Sequence, residues 1–424
     1  ARHPADPRPG LGRFRCLEVQ VLVDSHGNTI SLAERECSVR RADQPLLVES
    51  PSPAVPQDLR ERLLTAAARA AHALNVTGAV TVEFRLTGDG DFHLVGLRPG
   101  LPAEHAVSEC LVGLDLLRWE LAVAEGSPLP FTGSPAIRGH VVGARLRAED
   151  PGYAWLATTG PLHTFAVPQV DAAFRPLVAP GLRVDAAVAA PTTITAYYGS
   201  ELATLVAWSP TRYEAARLLA ASLARSRVHG VVTNRDLLTR VLRHPAYLAG
   251  AIDTGFLDDH PEVFAPLLSS VDSVRLSCLA AALTAAAGRR AAAGVLRDLP
   301  SGWRNVPSGA QTTVYRGPAG LVEIGYRLGR QGELTHWWVR AVDPGELDLA
   351  GLGQPNSVPD DHPPVAVVAV DETTAVLDVA GVRLAFSVHR VDDLSYVDSP
   401  EGSVVLTELP RHAAPMTVDE FPDE

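Results

Sequence analysis

The side chains that could do chemistry in this 424-residue chain are mainly arginines, carboxylates and histidines, because the chain contains no lysine. All 37 of its Lys-or-Arg residues are arginine. Without lysine, the chain cannot form a lysine Schiff base, place a Walker-type lysine on a phosphate, or carry biotin or lipoate on a side chain of its own. Any chemistry must therefore use other residue types.

Short catalytic and metal-binding motifs are also missing. The sequence has no GxSxG, P-loop, GxGxxG or HExxH pattern. His105, His140 and His163 lack the spacing of metal ligands, so we expect structural histidines. The run from Gly96 to Gly100 has glycines but no lysine, which makes it a weak phosphate cradle, and Asp360 to His362 is expected to be a solvated loop.

Residues 15–130 are predicted to form the first folded region, after an extended lead-in over 1–14 without a periodic apolar pattern. Alternating apolar residues predict hairpins, and three- and four-residue spacing predicts amphipathic helices. The predicted elements are strands 16–24, 29–33, 80–86 and 92–97 and helices 56–75 and 107–124.

Residues 131–258 are predicted to form a second, mixed α+β region, which follows a Pro- and Gly-rich stretch. Its predicted elements are strands near 138–147, 161–166, 182–188 and 202–208, a helix from Thr211 and a helix over 234–242.

Residues 266–410 are predicted to form an antiparallel β-barrel around a central helix. The segment 276–288 carries no charge, and a helix that is apolar all round must be buried on every side. Eight short strands are predicted after it, near 311–316, 320–328, 333–340, 365–370, 373–379, 381–388, 394–398 and 402–407. The fold class is therefore α+β, with a tail over 411–424.

Composition limits the partners and the compartment. A net charge of −12 argues against nucleic acid and anionic membrane surfaces, and no uncharged run is long enough to span a bilayer. Four cysteines without a CxxC pair fit a reducing cytoplasm. Met416 is the only methionine, so Ala1 follows a removed initiator or lies within a longer product, of which we favour the second.

Ordered motifs along residues 15–258 resemble the biotin carboxylase family. They begin with LEVQVLVDSHGN at 17–28 and LAERECSV at 32–39. Six more follow in the family's order, at 49–53, 81–84, 103–105, 138–140, 147–151 and 181–185. The resemblance implies a partial ATP-grasp core over 15–130 and a biotin carboxylase C-terminal domain over 131–258.

The third region resembles a docking domain. Residues 302–307 and 396–400 are similar to the domain that joins α subunits of acyl-CoA carboxylases to the carboxyltransferase β subunit. In that family the domain is a long helix inside a β-barrel, which agrees with the pattern of residues 266–410.

Three residues match functional positions of the biotin carboxylase family, which uses ATP, Mg²⁺ or Mn²⁺, bicarbonate and biotin on a carrier. The resemblance implies that Glu83 is a metal carboxylate, Glu104 the base and Arg183 the arginine that faces biotin. The alternative is that these residues form structural ion pairs, for example beside Arg98.

Other positions depart from the family's pattern. The replacements are Asp43 for a histidine, Pro45 for the catalytic lysine, Gly96 for the second metal ligand, Arg98 for an asparagine, Gly100 and Pro102 for the bicarbonate-binding arginine and glutamine, Gly199 for an aspartate and Thr204 for a lysine. Loss of one positioned electrostatic group typically costs about 10²- to 10³-fold in rate. With several such groups replaced, a full catalytic rate is not expected. Because the replaced groups include metal- and bicarbonate-binding positions, we also expect this chain to bind no cofactor of its own.

These observations favour a non-catalytic or vestigial α-type subunit of an acyl-CoA carboxylase complex. Its expected partners are the carboxyltransferase β subunit and a complete biotin carboxylase and biotin carrier α subunit. Trp303, Trp337 and Trp338 are candidate partner contacts, although one of the adjacent pair should face the core. The alternative is a working biotin carboxylase that acts in trans with its missing parts supplied by another segment or chain. A nucleotide or acyl-CoA sensor is a third reading.

Overall fold

The computed structural model describes residues 13–410, apart from residues 89, 132, 198, 298, 300, 302–308, 319, 330 and 343–363. The chain divides into two compact units, Ala1–Pro266 and Leu267–Glu424.

The first unit contains seven of the described α-helices and one 3-10 turn, and the second contains one long helix. They are α1 (Gln57–Ala73), α2 (His105–Val112), α3 (Leu116–Ala124), α4 (Arg212–Arg225), α5 (Arg235–Arg243), α6 (Pro245–Leu248), α7 (Phe256–Asp259), the 3-10 turn (Pro261–Phe264) and α8 (Val271–Ala291).

The described strands number seventeen in the first unit. They are β1 (Arg15–Val23), β2 (Thr29–Ser31), β3 (Arg35–Glu36), β4 (Arg40–Arg41), β5 (Gln44–Pro45), β6 (Leu47–Ser50), β7 (Gly78–Leu86), β8 (Phe92–Pro99), β9 (His140–Arg147), β10 (Glu149–Asp150), β11 (Leu156–Ala157), β12 (Gly160–Leu162), β13 (Thr164–Ala166), β14 (Gly181–Ala186), β15 (Thr192–Ile194), β16 (Glu201–Ser209) and β17 (Arg227–His229). Eight more form the second unit: β18 (Gln311–Gly317), β19 (Gly320–Leu328), β20 (Leu334–Val342), β21 (Val365–Val370), β22 (Thr374–Val379), β23 (Val382–Val391), β24 (Leu394–Ser399) and β25 (Gly402–Glu408).

One antiparallel sheet organises the first unit. Its strands run in the order β14-β16-β9-β6-β3-β1-β7-β8, with β2 paired to β1. The pairing of β6 with β9 joins strands from the two predicted regions 15–130 and 131–258. The hairpin of β7 and β8 was predicted from the sequence. In the structure, Val80 pairs with Pro99 at one end of the hairpin and Leu86 pairs with Phe92 at the other.

Helices cover the apolar faces of this sheet. The predicted helix over 56–75 is α1, and its buried Leu59 and Leu63 pack in one cluster with Val19 and Val82. Helices α4 and α5 bury a second cluster against β9 and β16. Strand β1 is buried on both faces, and its polar face carries Glu18 and Gln20. This polar, buried face is where the candidate site begins.

The second unit is a nearly closed antiparallel barrel around a helix, as predicted. The strand order is β20-β19-β18-β25-β24-β23-β22-β21, and the eight strands follow the eight predicted segments closely. Helix α8 packs Leu276, Leu279 and Leu283 against barrel residues such as Tyr315 and Phe386. Although α8 is long and apolar enough to cross a bilayer, most of its side chains are buried by the barrel. The predicted α+β fold class is confirmed.

Both adjacent tryptophans of the barrel are buried, whereas the sequence predicted that one of the two faces the core. Trp337 is 9% exposed and belongs to the barrel core, and Trp338 is 3% exposed. The Trp338 ring lies over Gly325, where a Cβ would come within 2.2 Å of Cε2. Because the two rings are buried, neither offers a large contact surface, and their partner role stays a prediction. Trp303 lies outside the described residues.

Candidate functional site

The site starts as a row of residues across three strands. Antiparallel pairing places Glu18 of β1 opposite Glu83 of β7, and Glu83 opposite Gly96 of β8. Arg98 follows two residues after Gly96, so its side chain leaves β8 on the same face. A Cβ at Gly96 would meet no atom within 4 Å, so the position is open. The row therefore holds two carboxylates, one vacant side-chain position and one cation.

Arg98 bridges the two carboxylates. Its Nη2 donates to Glu18 Oε1 at 2.6 Å, and its Nε forms an ion pair with Glu83. Desolvation alone would lower the pKa of Arg98, but the nearby carboxylates of Glu18, Glu83 and Glu104 outweigh it and raise that pKa. Glu18 is also paired with fully buried Arg35 at 3.0 Å. Both carboxylates are thus neutralised by side chains of the same chain.

Glu104 lies at the N-terminal end of α2 and is 4% exposed. Its Oε1 accepts a hydrogen bond from Arg145 Nη1 at 2.9 Å. Arg145 also contacts Glu201, and Glu201 lies 3.9 Å from Arg147. The residue that matches the family's base is therefore the acceptor of a buried ion pair.

Arg183 is 1% exposed and fully engaged at both ends of its guanidinium. Its Nη1 donates to Glu109 at 2.6 Å, and its Nε and Nη2 donate to Asp185 at 2.7–3.0 Å. Burial alone lowers the pKa of Arg183, but Asp185 and Glu109 outweigh it and raise the pKa. A ligand carboxylate would have to displace one of these two acidic partners.

A cavity of about 760 Å³ opens beside Arg183. Its wall includes Glu201 and Thr204 of β16 and the exposed Leu117 and Leu121 of α3. The Thr204 hydroxyl donates to Glu201 at 3.4 Å. The cavity wall is thus mixed, with acidic and apolar side chains next to a neutralised arginine.

The remaining predicted positions lie in turns or strand ends. Asp43 is fully exposed between β4 and β5, 3.8 Å from Arg40, and Pro45 is buried in β5. Gly100 follows β8 with φ +88°, and Gly199 precedes β16 with φ +80°. Pro102 accepts a hydrogen bond from His105 N at 3.0 Å. None of these five positions offers a cation to the site.

Sequence reasoning missed the partners that neutralise the site: Glu18, Arg35, Glu109, Arg145, Arg147 and Glu201. One signal was available for Glu18, because alternation along β1 places it on the face opposite Leu17 and Val19. No local pattern could show that Arg145 reaches Glu104, since the two residues come from different elements, 41 positions apart.

The carboxylates around Arg98 and Arg145 are paired with arginines and do not fit a divalent metal. Four carboxylates (Glu18, Glu83, Glu104 and Glu201) face four arginines (Arg35, Arg98, Arg145 and Arg147). Magnesium usually binds through one or two carboxylates together with waters and substrate phosphates. Here Arg98 occupies the two carboxylates nearest to each other across the strands, so a metal would have to displace it.

Comparisons with known proteins match the first unit. The family described as "Carbamoyl-phosphate synthase L chain, ATP binding domain" matches residues 10–132, and "Biotin carboxylase C-terminal domain" matches residues 143–259.

Two curated relatives illustrate the match. A biotin carboxylase of Nostoc sp. is 35% identical over 250 residues, which cover 59% of this chain and 54% of the relative. The methylcrotonoyl-CoA carboxylase subunit alpha of Dictyostelium discoideum is 36% identical over 249 residues, covering 58% of this chain and 34% of the relative. The chain thus spans about half or less of the length of these relatives.

A solved structure shares the fold of the same part. The biotin carboxylase domain of 2-oxoglutarate carboxylase from Hydrogenobacter thermophilus, in complex with MgADP, ADP and bicarbonate, superposes with a TM-score of 0.56 and 29% identity. The alignment covers 59% of this chain and 54% of the solved one.

Proposed function

We propose that the chain is a non-catalytic α-type subunit of an acyl-CoA carboxylase complex, because residues 10–132 match the carbamoyl-phosphate synthase L chain ATP-binding domain and residues 143–259 match the biotin carboxylase C-terminal domain. In this proposal the first unit keeps the family's fold without its chemistry. The second unit docks onto the carboxyltransferase β subunit.

The observation that carries the proposal is the position of Arg98. In the family, the corresponding region holds a divalent metal between carboxylates, and the resemblance assigns Glu83 to that role. Here the Arg98 guanidinium already contacts Glu83 and Glu18, and the second ligand position is Gly96. An arginine that is already paired with two carboxylates has no open coordination position, so it cannot replace a divalent metal as a Lewis acid for a phosphate oxygen.

The residues at the positions that bind nucleotide and bicarbonate in the family support the same proposal. The chain has no lysine to hold phosphates or carboxyphosphate. Gly100 and Pro102 have no side-chain donors where the family has an arginine and a glutamine. The residues present therefore do not fit Mg²⁺ and ATP.

The retained packing supports an assembly role. The polar residues around the site form internal ion pairs, and the sheet beneath them has an intact apolar core. Curated relatives include α subunits of methylcrotonoyl-CoA and propionyl-CoA carboxylases.

Co-expression tests the docking part of the proposal. The full chain and a carboxyltransferase β subunit are co-expressed and separated by size exclusion at micromolar concentration, with each protein alone as control. We expect a shared peak that elutes ahead of both controls. Two separate peaks at the positions of the controls would contradict docking.

The retained Glu104 and Arg183 favour a second candidate, a working biotin carboxylase that acts in trans. That function requires both residues to be released from Arg145, Glu109 and Asp185 when another chain supplies the missing parts. Its signature is ATP hydrolysis that depends on both bicarbonate and biotin.

A further inference from the structure

A cluster of two histidines and a glutamate lies in the first unit, among residues that the proposed function does not use. His244, His260 and Glu262 each offer one ligand atom, and these atoms all lie within 4.8 Å of one another. Glu262 Oε1 is 2.9 Å from His244 Nε2 and 3.3 Å from His260 Nδ1. Among the described residues, this is the one such group of three histidine, cysteine or acidic side chains.

The cluster is held in place by buried neighbours. His244 precedes α6, His260 lies between α7 and the 3-10 turn, and Glu262 lies within that turn. The His244 ring meets the Phe256 ring edge-on at 5.7 Å, and the His260 ring lies 4.8 Å from the same phenyl ring. Phe256 is 3% exposed. Both imidazoles are therefore positioned by a core residue before any ligand arrives.

The donor set defines the kind of ion. Two imidazole nitrogens and one carboxylate oxygen suit Zn²⁺ and similar divalent transition metals, whereas Mg²⁺ and Ca²⁺ prefer oxygen ligands alone. Side-chain exposure rises from 17% at His244 to 26% at His260 and 58% at Glu262. An ion could therefore enter from solvent and keep a water in its remaining position.

We propose that His244, His260 and Glu262 form a three-ligand site for a divalent transition metal, with Zn²⁺ preferred. The site is independent of the chemistry lost around Arg98, and the proposal does not rest on the proposed function.

One existing contact opposes binding. His244 Nδ1 accepts a hydrogen bond from Ala246 N at 3.3 Å, so the proton of the neutral ring resides on Nε2 and is donated to Glu262. Metal binding at Nε2 moves that proton to Nδ1 and breaks the long contact to Ala246.

Calorimetric titration of the full chain with ZnCl₂ tests the proposal. We expect one Zn²⁺ per chain, and at least tenfold weaker binding after Glu262→Gln or His260→Gln. Glu262→Gln changes an exposed side chain, so its fold should be retained, which circular dichroism checks. His93→Gln, at an exposed histidine on β8, is the matched control and should bind as the unmodified chain does.

Cobalt substitution identifies the ligands. Co²⁺ in this site should give visible ligand-field bands without a thiolate charge-transfer band, because the four cysteines are buried elsewhere. The proposal is overturned if the chain binds no Zn²⁺ at micromolar concentration. It is equally overturned if the two cluster variants bind as tightly as the unmodified chain, or if His93→Gln weakens binding as much as they do.

Discussion

At the scale of one residue, Arg98 is the side chain on which the proposed non-catalytic role depends. The residue bridges Glu18 and Glu83, so the two carboxylates remain satisfied without a metal. Glu18 is buried, and leaving a buried carboxylate without a cationic partner is costly. Substitution of a ligand by a cation avoids that cost.

We predict that reversing this substitution restores metal binding. Gly96→Glu combined with Arg98→Asn adds a carboxylate at an open position and removes the arginine that pairs with Glu18 and Glu83. We expect Mn²⁺ affinity to rise about 10- to 100-fold, the size of effect that altered groups around metal sites typically have. Titration with Mn²⁺, followed by electron paramagnetic resonance of the unbound ion, measures it.

Gly96→Glu alone is the matched control for that experiment. Arg98 remains in this variant and can pair with the new carboxylate, so little gain is expected. Equal Mn²⁺ affinity of the double variant and the unmodified chain would contradict the role given to Arg98.

Asp24 predicts a pH dependence of stability. Its carboxylate accepts hydrogen bonds from the backbone of His26, Asn28 and Leu129 at 2.8–2.9 Å and from the Asn28 side chain at 2.7 Å. Desolvation opposes ionisation, but these bonds outweigh it and lower the pKa of Asp24 to about 2. The folded-state pKa is below the unfolded one, so the stabilisation is present above about pH 4 and is lost as the pH falls towards 2.

Asp24→Asn measures that contribution by urea unfolding at several pH values. At pH 6 we expect a loss of about 2 kcal/mol, typical of hydrogen bonds to a charged group. The difference between the variant and the unmodified chain should shrink as the pH falls from 4 towards 2. A difference that stays constant over this range would show that the charge of Asp24 plays no part.

At the scale of elements, local patterns predicted most helices and strands. The thirteen uncharged residues 276–288 predicted a buried helix, and α8 extends this segment to Val271–Ala291. The barrel strands were predicted because each is a short run of strand-forming residues bounded by turn signals. The short strands β3, β4 and β5 were not predicted, since two residues are too few to establish a period.

Because α8 lies inside the barrel, shortening a side chain in its middle should reduce the unfolding free energy more than shortening one at its start. Leu279 is completely buried in the barrel core, whereas Val271 at the start of the helix is 66% exposed. Leu279→Ala should cost about 2–5 kcal/mol of unfolding free energy because it leaves a cavity. Val271→Ala is the control, and we expect a change within about 0.5 kcal/mol. Equal effects in urea unfolding would be inconsistent with a helix buried inside the barrel.

At the scale of the whole molecule, the pairing of strands that are far apart in the sequence could not be predicted from local patterns. The sheet of the first unit is continuous because Leu47 pairs with Ala144 and Ser50 with Val141. These partners are nearly a hundred residues apart, and no local signal specifies their register. For the same reason the replaced residues could be named from the sequence, but their neutralising partners could not.

The exclusive use of arginine in place of lysine is also a property of the whole molecule. The chain lacks lysine, and its arginines supply every cation of the candidate site. Arginine is planar, always charged and suited to fixed ion pairs with carboxylates. A site built only from arginine and carboxylate pairs is therefore suited to holding a structure together.

The most direct test of the non-catalytic role is ATP turnover by the full chain, supplied with a biotin carrier protein and a carboxyltransferase β subunit. We predict no hydrolysis that depends on bicarbonate and biotin, and the same background rate for the unmodified chain and for Glu104→Gln. Turnover that requires both substrates, and that Glu104→Gln abolishes, would contradict the account and establish a working carboxylase.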